Sequence, residues 1–161
     1  MDGTEQVIVD FRSSWQFVRG LTRDFVEQTP QDRYAFSPHA RFGSMDRQFR
    51  HVLQVTDLYT DTLRSRVLSM PTKFARYGGS LDRDDLLAGL ERADAELSAV
   101  VDELGAEAVA ANYQFGDTAM GIGELFDVFI EHEANHHGLW SAYAAVGGWS
   151  TPESWRDAWD L

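Results

Sequence analysis

The segment 122–146, IGELFDVFIEHEANHHGLWSAYAAV, carries an unbroken helical pattern that determines how the rest of the sequence is interpreted. Steps of three and four residues along it predict one core-facing seam: Ile122, Leu125, Phe129, His132, His136, Leu139, Tyr143 and Val146. Histidine is a poor core residue unless its ring nitrogens have partners. His132 and His136, one turn apart on this face, therefore predict a metal site.

A helix supplies only two ligands at this spacing, so a further ligand must come from a neighbouring helix. His51 lies in line with Val55 and Leu58 at the edge of another apolar arc, and it is the candidate. Three neutral imidazoles leave one or two coordination positions open, which is typical of catalytic zinc sites and not of closed structural ones. The alternative for His51 alone is a core histidine that is hydrogen-bonded to a backbone carbonyl.

The same segment contains an H-E-x-x-H string, in which zinc peptidases use the glutamate as general base. Glu133 lies about 100° from the ligand seam, so it faces either a neighbouring helix or solvent. The extended form of the motif fails, because Leu139 and Ala142 occupy its glycine and last histidine positions. We also expect no strand that could align a peptide substrate. A peptidase is therefore the least favoured alternative.

Two further histidines are weaker candidates. His137 lies about 100° round the helix from His136, which predicts a position at the rim of the site, a supporting position behind the ligands, or simple exposure. His39 falls in a loop and is expected to be solvated.

Hydrophobic periodicity predicts an all-α protein, a four-helix bundle with a short C-terminal helical turn, in a single domain of residues 1–161. The predicted helices are Asp10–Gln28, Ser44–Met70, a segment from the Gly78-Gly79-Ser80 turn to Gly105, and a last helix from Asp117 or Thr118 to Val146. Pro30 and Pro71 are expected to stop the first two helices. In the C-terminal turn, Thr151 is the expected cap, with Trp155 and Trp159 on one face.

The apolar stripes of the first three helices define the expected core. They are Phe11, Trp15, Val18, Leu21 and Phe25; Met45, Val52, Val55, Leu58, Tyr59 and Leu63; and Leu86, Leu90, Ala93, Leu97, Val100 and Leu104.

The composition argues against some classes of binding partner and cellular location. The net charge is -12, which disfavours nucleic-acid binding. No apolar run is long enough to span a membrane, and the N-terminus lacks the basic start of a signal peptide, so a cytoplasmic location is expected. Because the chain contains no cysteine, any thiolate chemistry needs an external thiol.

With these residues in place, the sequence resembles the DinB/YfiT-like superfamily of metal-binding four-helix bundles. The family motif H-x-x-H-H-R-G-Q, followed by G-x-x-P, corresponds to residues 132–139 and then to Gly147-Gly148 and Pro152. His51, His132 and His136 match the family's ligand positions, and Gly138 matches a glycine that permits close helix contact. Three positions depart from the motif and leave the subfamily open: Asn135, His137 and Leu139.

The resemblance implies a thiol-dependent S-transferase or isomerase as the leading enzymatic function, with a hydrolase next. Its cofactors would be a divalent ion and a low-molecular-weight thiol such as mycothiol or bacillithiol. Three imidazoles suit zinc, nickel, copper or ferrous iron, and availability makes zinc the first choice and nickel the second. The substrate would be a small molecule in a pocket lined by Tyr59, His137, Trp140 and Tyr143, and no catalytic residue is assigned. A homodimer is consistent with the family. A non-catalytic bundle stapled by a structural metal is the alternative.

Overall fold

The protein, described here by a computed structural model over residues 3–71 and 82–160, is mainly helical. The four long helices are α1 (Gly3–Gln28), α2 (Met45–Ser65), α3 (Arg83–Asp102) and α5 (Ile122–Gly147), and the short ones are α4 (Ala106–Val109) and α6 (Glu153–Trp159). A 3₁₀ turn, Gln31–Arg33, follows α1. The predicted all-α bundle is confirmed. No helix in these two ranges is long and apolar enough to cross a bilayer.

The long helices pack in a closed ring. Helix α1 packs against α3 and α5, and α2 packs against the same two helices. Helices α1 and α2 are therefore diagonal, and the α2/α5 face lies opposite the α1/α3 face. The predicted stripes of α1, α2 and α3 are buried, except that Leu58 and Leu104 are half-buried.

The predicted start of α1 and the predicted end of α2 are wrong. Helix α1 begins at Gly3, not Asp10, because Val7 and Ile8 extend its apolar face onto the core. Helix α2 ends at Ser65, well before Met70 and Pro71, because Arg66 takes a left-handed conformation with φ of 61°. The proposed Gly78-Gly79-Ser80 turn lies outside the described residues, and α3 begins directly after Asp82.

A three-stranded sheet was not expected from the sequence. Strand β1 (Val67–Leu68) pairs in parallel with β2 (Tyr113–Phe115), which pairs antiparallel with β3 (Thr118–Met120). Strands of two or three residues are too short to show an alternating pattern. Since β3 occupies Thr118, α5 begins only at Ile122, where the Glu124 carboxylate accepts a hydrogen bond from Gly121 N at 2.8 Å.

The predicted ends near the C-terminus need smaller corrections. Helix α3 ends at Asp102, and Gly105 instead precedes the short helix α4. Pro152, not Thr151, occupies the cap position of α6. Trp155 is fully buried and its indole N–H donates to the carbonyl of Leu21 at 2.7 Å, whereas Trp159 is 38% exposed.

The core consists of two apolar clusters along the bundle axis. One is centred on Phe11, Tyr59 and Phe129, and the other on Phe25 and Trp140. Between them lies a set of polar side chains that we call the polar layer: Arg19, Thr22, Thr56, Asp94, Glu133 and His137. Each of the four long helices contributes at least one of these residues, and the three candidate ligands lie at the same level.

Candidate metal centre

His51, His132 and His136 converge on the α2/α5 face, although they are 81 and 4 residues apart in the chain. The Nε2 atoms of His51 and His132 are 3.2 Å apart, and those of His132 and His136 are 3.3 Å apart. One ring nitrogen from each histidine lies within 4.8 Å of the other two. All three side chains are half-buried, so the cluster is at the border of the core.

The spacing fits a small divalent ion. With metal–nitrogen bonds of about 2.0–2.1 Å, two ligands of a tetrahedral site are separated by about 3.4 Å. The two Nε2–Nε2 distances, 3.2 and 3.3 Å, are close to that value. No further histidine, aspartate or glutamate among the described residues joins the group.

All three histidines favour the neutral form that binds metal. Burial, followed by the neighbouring charges of His51 and Arg19, lowers the pKa of His132 to about 4. Burial, followed by His132, lowers the pKa of His136 to about 3. Burial and then the Arg47 guanidinium lower the pKa of His51. The Nδ1 atoms of His132 and His136 have no hydrogen-bond partner among the described residues, whereas metal-ligating histidines usually donate from this second nitrogen.

Aromatic rings contact the histidine pair at both of its ends along α5. Tyr59 stacks on Phe129 with a centroid distance of 3.7 Å, and its ring centroid lies 6.0 Å from that of His132 in an edge-on arrangement. Trp140, one turn after His136, has its ring centroid 5.7 Å away. The rings of Tyr59 and Trp140 therefore lie beside the cluster.

The other two expected pocket residues have different surroundings. The Tyr143 hydroxyl lies 3.0 Å from the carbonyl oxygens of both Phe42 and Gly43, so it tethers the loop before α2. His137 is buried against α1 and α6, with its ring 4.8 Å from Trp155. It is therefore not exposed at a rim.

The predicted seam is rotated relative to the actual core face of α5. Val146 is 65% exposed, whereas Glu133 and His137 are almost completely buried. Gly138 is exposed, and a Cβ atom there would meet nothing within 4 Å, so it does not serve close helix contact. His39 is exposed in its loop, as expected.

Polar partners explain the burial of Glu133 and His137. Arg19 Nη1 lies 3.1 Å from Glu133 Oε1, and Arg19 Nε lies 2.9 Å from Asp94 Oδ1. The Thr22 hydroxyl donates to Glu133 and lies 2.8 Å from His137 Nε2. Because that hydroxyl uses its hydrogen on Glu133, it accepts from His137, which assigns the Nε2–H tautomer.

The sequence did not reveal this network. Arg19 and Thr22 are spaced like neighbours on one face of α1, next to the core residues Val18 and Leu21. Their position beside an apolar stripe was the signal in the sequence that they could be buried. Their partners could not be identified, because they lie far away in the chain.

Comparison with known proteins identifies the family. A family model for the DinB superfamily matches residues 14–139, which include all three clustered histidines. The chain belongs to the DinB superfamily. The crystal structure of a DinB-like protein from Bacillus subtilis, YjoA, superposes with a TM-score of 0.68 over 91% of this chain and 95% of that one. Its sequence identity is 18%, so the similarity concerns the fold alone. No curated protein matches the sequence significantly.

In this DinB-superfamily chain the H-E-x-x-H string does not form a peptidase site. Burial, partly offset by Arg19 and Thr22, raises the pKa of Glu133, and its carboxylate points to α1. A general base must reach the water that it activates. Glu133 instead interacts with Arg19 and Thr22 within the polar layer, and these contacts stabilise the bundle.

The metal-free protein is expected to lose stability as the pH falls from 6.5 towards 4. The folded-state pKa values of about 4 for His132 and about 3 for His136 lie below the unfolded value, so the unfolded chain binds more protons in this window. Each histidine contributes at most about 1.4 kcal/mol per pH unit. Thermal melts of chelator-treated protein would measure this loss. The His136→Asn variant should show a shallower dependence, and an equally steep one would contradict the assignment.

Proposed function

We propose that the protein is a divalent-metal-dependent enzyme in which His51, His132 and His136 hold the ion. The observation that carries the proposal is a half-buried cluster of three neutral imidazoles with no fourth protein ligand among the described residues. Such a centre has a coordination position open to a small molecule. Zinc is the first choice of metal on grounds of availability, and nickel is the second.

The reaction type we propose is thiol-dependent S-transfer or isomerisation, with hydrolysis as the next candidate. A divalent ion would lower the pKa of a thiol or water bound at the open position. The chain itself has no cysteine, so the thiol would be a low-molecular-weight cofactor. The family is compatible with this function, although one fold hosts several activities.

Neighbouring side chains would bind and orient the substrate. Burial, followed by the charge of Glu133, raises the pKa of Tyr59, so its hydroxyl stays protonated and does not act as a base. The exposed Arg47 lies close enough to His51 to lower its pKa. Its positive charge would favour an anionic thiol or substrate at this face.

The alternative is a structural ion that staples the bundle. It is favoured by the fact that the three histidines come from two separate helices, α2 and α5, so an ion would connect them. A catalytic ion and a structural ion differ in how removal of the metal by a chelator changes the protein's thermal stability and activity. A staple predicts a large loss of thermal stability without any turnover, because the ion binds only the folded state.

The decisive experiment compares wild-type protein with His51→Ala and with His39→Ala, an exposed loop histidine that serves as the matched control. We expect about one divalent ion per chain in wild type and His39→Ala, and little in His51→Ala. Metal-dependent conjugation of bacillithiol or mycothiol to an electrophile such as chlorodinitrobenzene should follow the metal content.

Two outcomes would contradict the proposal. Wild-type protein without bound metal after incubation with zinc or nickel would remove the metal site. Bound metal with no turnover for any thiol, together with a large fall in melting temperature on chelation, would favour the structural staple.

A further inference from the structure

A cavity lies between α1 and α3, on the side of the bundle opposite the three histidines. Its volume is about 330 Å³. This is at the lower end of the range for small-molecule sites, roughly 300–1,000 Å³. Its walls include Phe11, Trp15, Arg19, Arg23 and Asp94.

The cavity is rich in guanidinium groups for so acidic a protein. Arg12, Arg19 and Arg23 line it, against one carboxylate, that of Asp94. Two of the arginines already have carboxylate partners: Arg12 pairs with Asp102, and Arg19 pairs with both Asp94 and Glu133.

Arg23 differs from the other two. It is half-buried, and it makes no ion pair or hydrogen bond within the described ranges 3–71 and 82–160. Its charge acts at a distance on Asp94, whose carboxylate is already engaged by Arg19 at 2.9 Å and by the Trp15 indole N–H at 3.3 Å. A half-buried guanidinium without a partner in the described part of the chain is suited to bind an anion from solution.

The apolar side chains of the wall favour an aromatic group next to the anionic group of the ligand. Phe11 and Trp15 are nearly fully buried and stack with ring centroids 5.9 Å apart. Gly20 also lines the cavity, and a Cβ atom at this position would meet nothing within 4 Å, so this part of the helix surface is open. Because Asp94 places a negative charge in the same wall, a monoanion fits better than a dianion.

We propose that this cavity binds a small aromatic carboxylate, with the carboxylate on Arg23 and the ring against Trp15 and Phe11. The site is separate from the histidine cluster. Its wall contacts α5 through Arg19, which bridges Asp94 in the wall and Glu133 on that helix, and through Phe11, which stacks on Phe126.

Phenylacetate is the probe, and its neutral amide, phenylacetamide, is the matched ligand control. In calorimetric titrations we expect phenylacetate to bind at least about tenfold more tightly than the amide, since the charge-assisted hydrogen bonds are lost. The Trp15 indole N–H resonance should shift on binding. Binding should persist in the His136→Ala variant, which excludes coordination at the histidine cluster.

Substitutions in the cavity wall test whether phenylacetate binds there. Arg23→Gln should weaken phenylacetate binding about tenfold or more, whereas the same substitution at the exposed Arg156 should not. Ala95→Phe, which fills the cavity from the α3 wall, should abolish binding without removing the arginine. Equal affinity in Arg23→Gln and Arg156→Gln, no binding at millimolar phenylacetate, or tighter binding of phenyl phosphate would overturn the proposal.

Discussion

Replacement of His136 by leucine is expected to lower zinc affinity by more than about 100-fold. Loss of a supporting partner outside the coordination shell alone costs about 10–100-fold in affinity, and His136 would supply one of three protein ligands found among the described residues. A competition titration against a chromophoric chelator at pH 7.5, where the three imidazoles are neutral, measures the change.

The same substitution should leave the metal-free protein as stable as wild type, or more stable. His136 Nδ1 is buried without a hydrogen-bond partner among the described residues, and an apolar side chain of similar size avoids that cost. Asn135→Ala, on the exposed side of α5, is the control and should change neither property. Unchanged zinc affinity in His136→Leu would show that the cluster does not bind the ion.

Replacement of Arg19 by methionine is expected to destabilise the protein by about 3–5 kcal/mol, because it leaves buried carboxylates without their partner. Arg19 is 3% exposed and contacts both Glu133 and Asp94. For a chain of this size, the melting temperature should fall by roughly 6–20 °C. Denaturant unfolding and thermal melts give the two values.

Two controls distinguish the loss of the buried ion pairs from the loss of a positive charge anywhere on the protein. Arg64→Met removes an exposed arginine that pairs with Glu96, and it should cost no more than about 1 kcal/mol. The double variant Arg19→Met, Glu133→Gln should recover part of the loss, since the second change removes the unpaired buried charge. A loss in Arg19→Met no larger than that in Arg64→Met would contradict the role of the polar layer.

Several features were predictable because they depend on local sequence. The stripes of α1, α2 and α3 identify buried residues, since a helix repeats every 3.6 residues. The same rule places His132 and His136 on one face. It failed for the short strands and for the end of α2, where the left-handed conformation of Arg66 ends the helix before any proline.

The sequence by itself determined the helical class, the family and the three histidines that converge on the α2/α5 face. Tertiary structure alone decided which side of α5 is buried, because a periodic pattern does not identify the neighbouring helix or its rotation. Glu133 and His137 enter the core only because Arg19 and Thr22, more than a hundred residues earlier, satisfy their polar atoms. The cavity beside Arg23 likewise exists only where α1 and α3 meet.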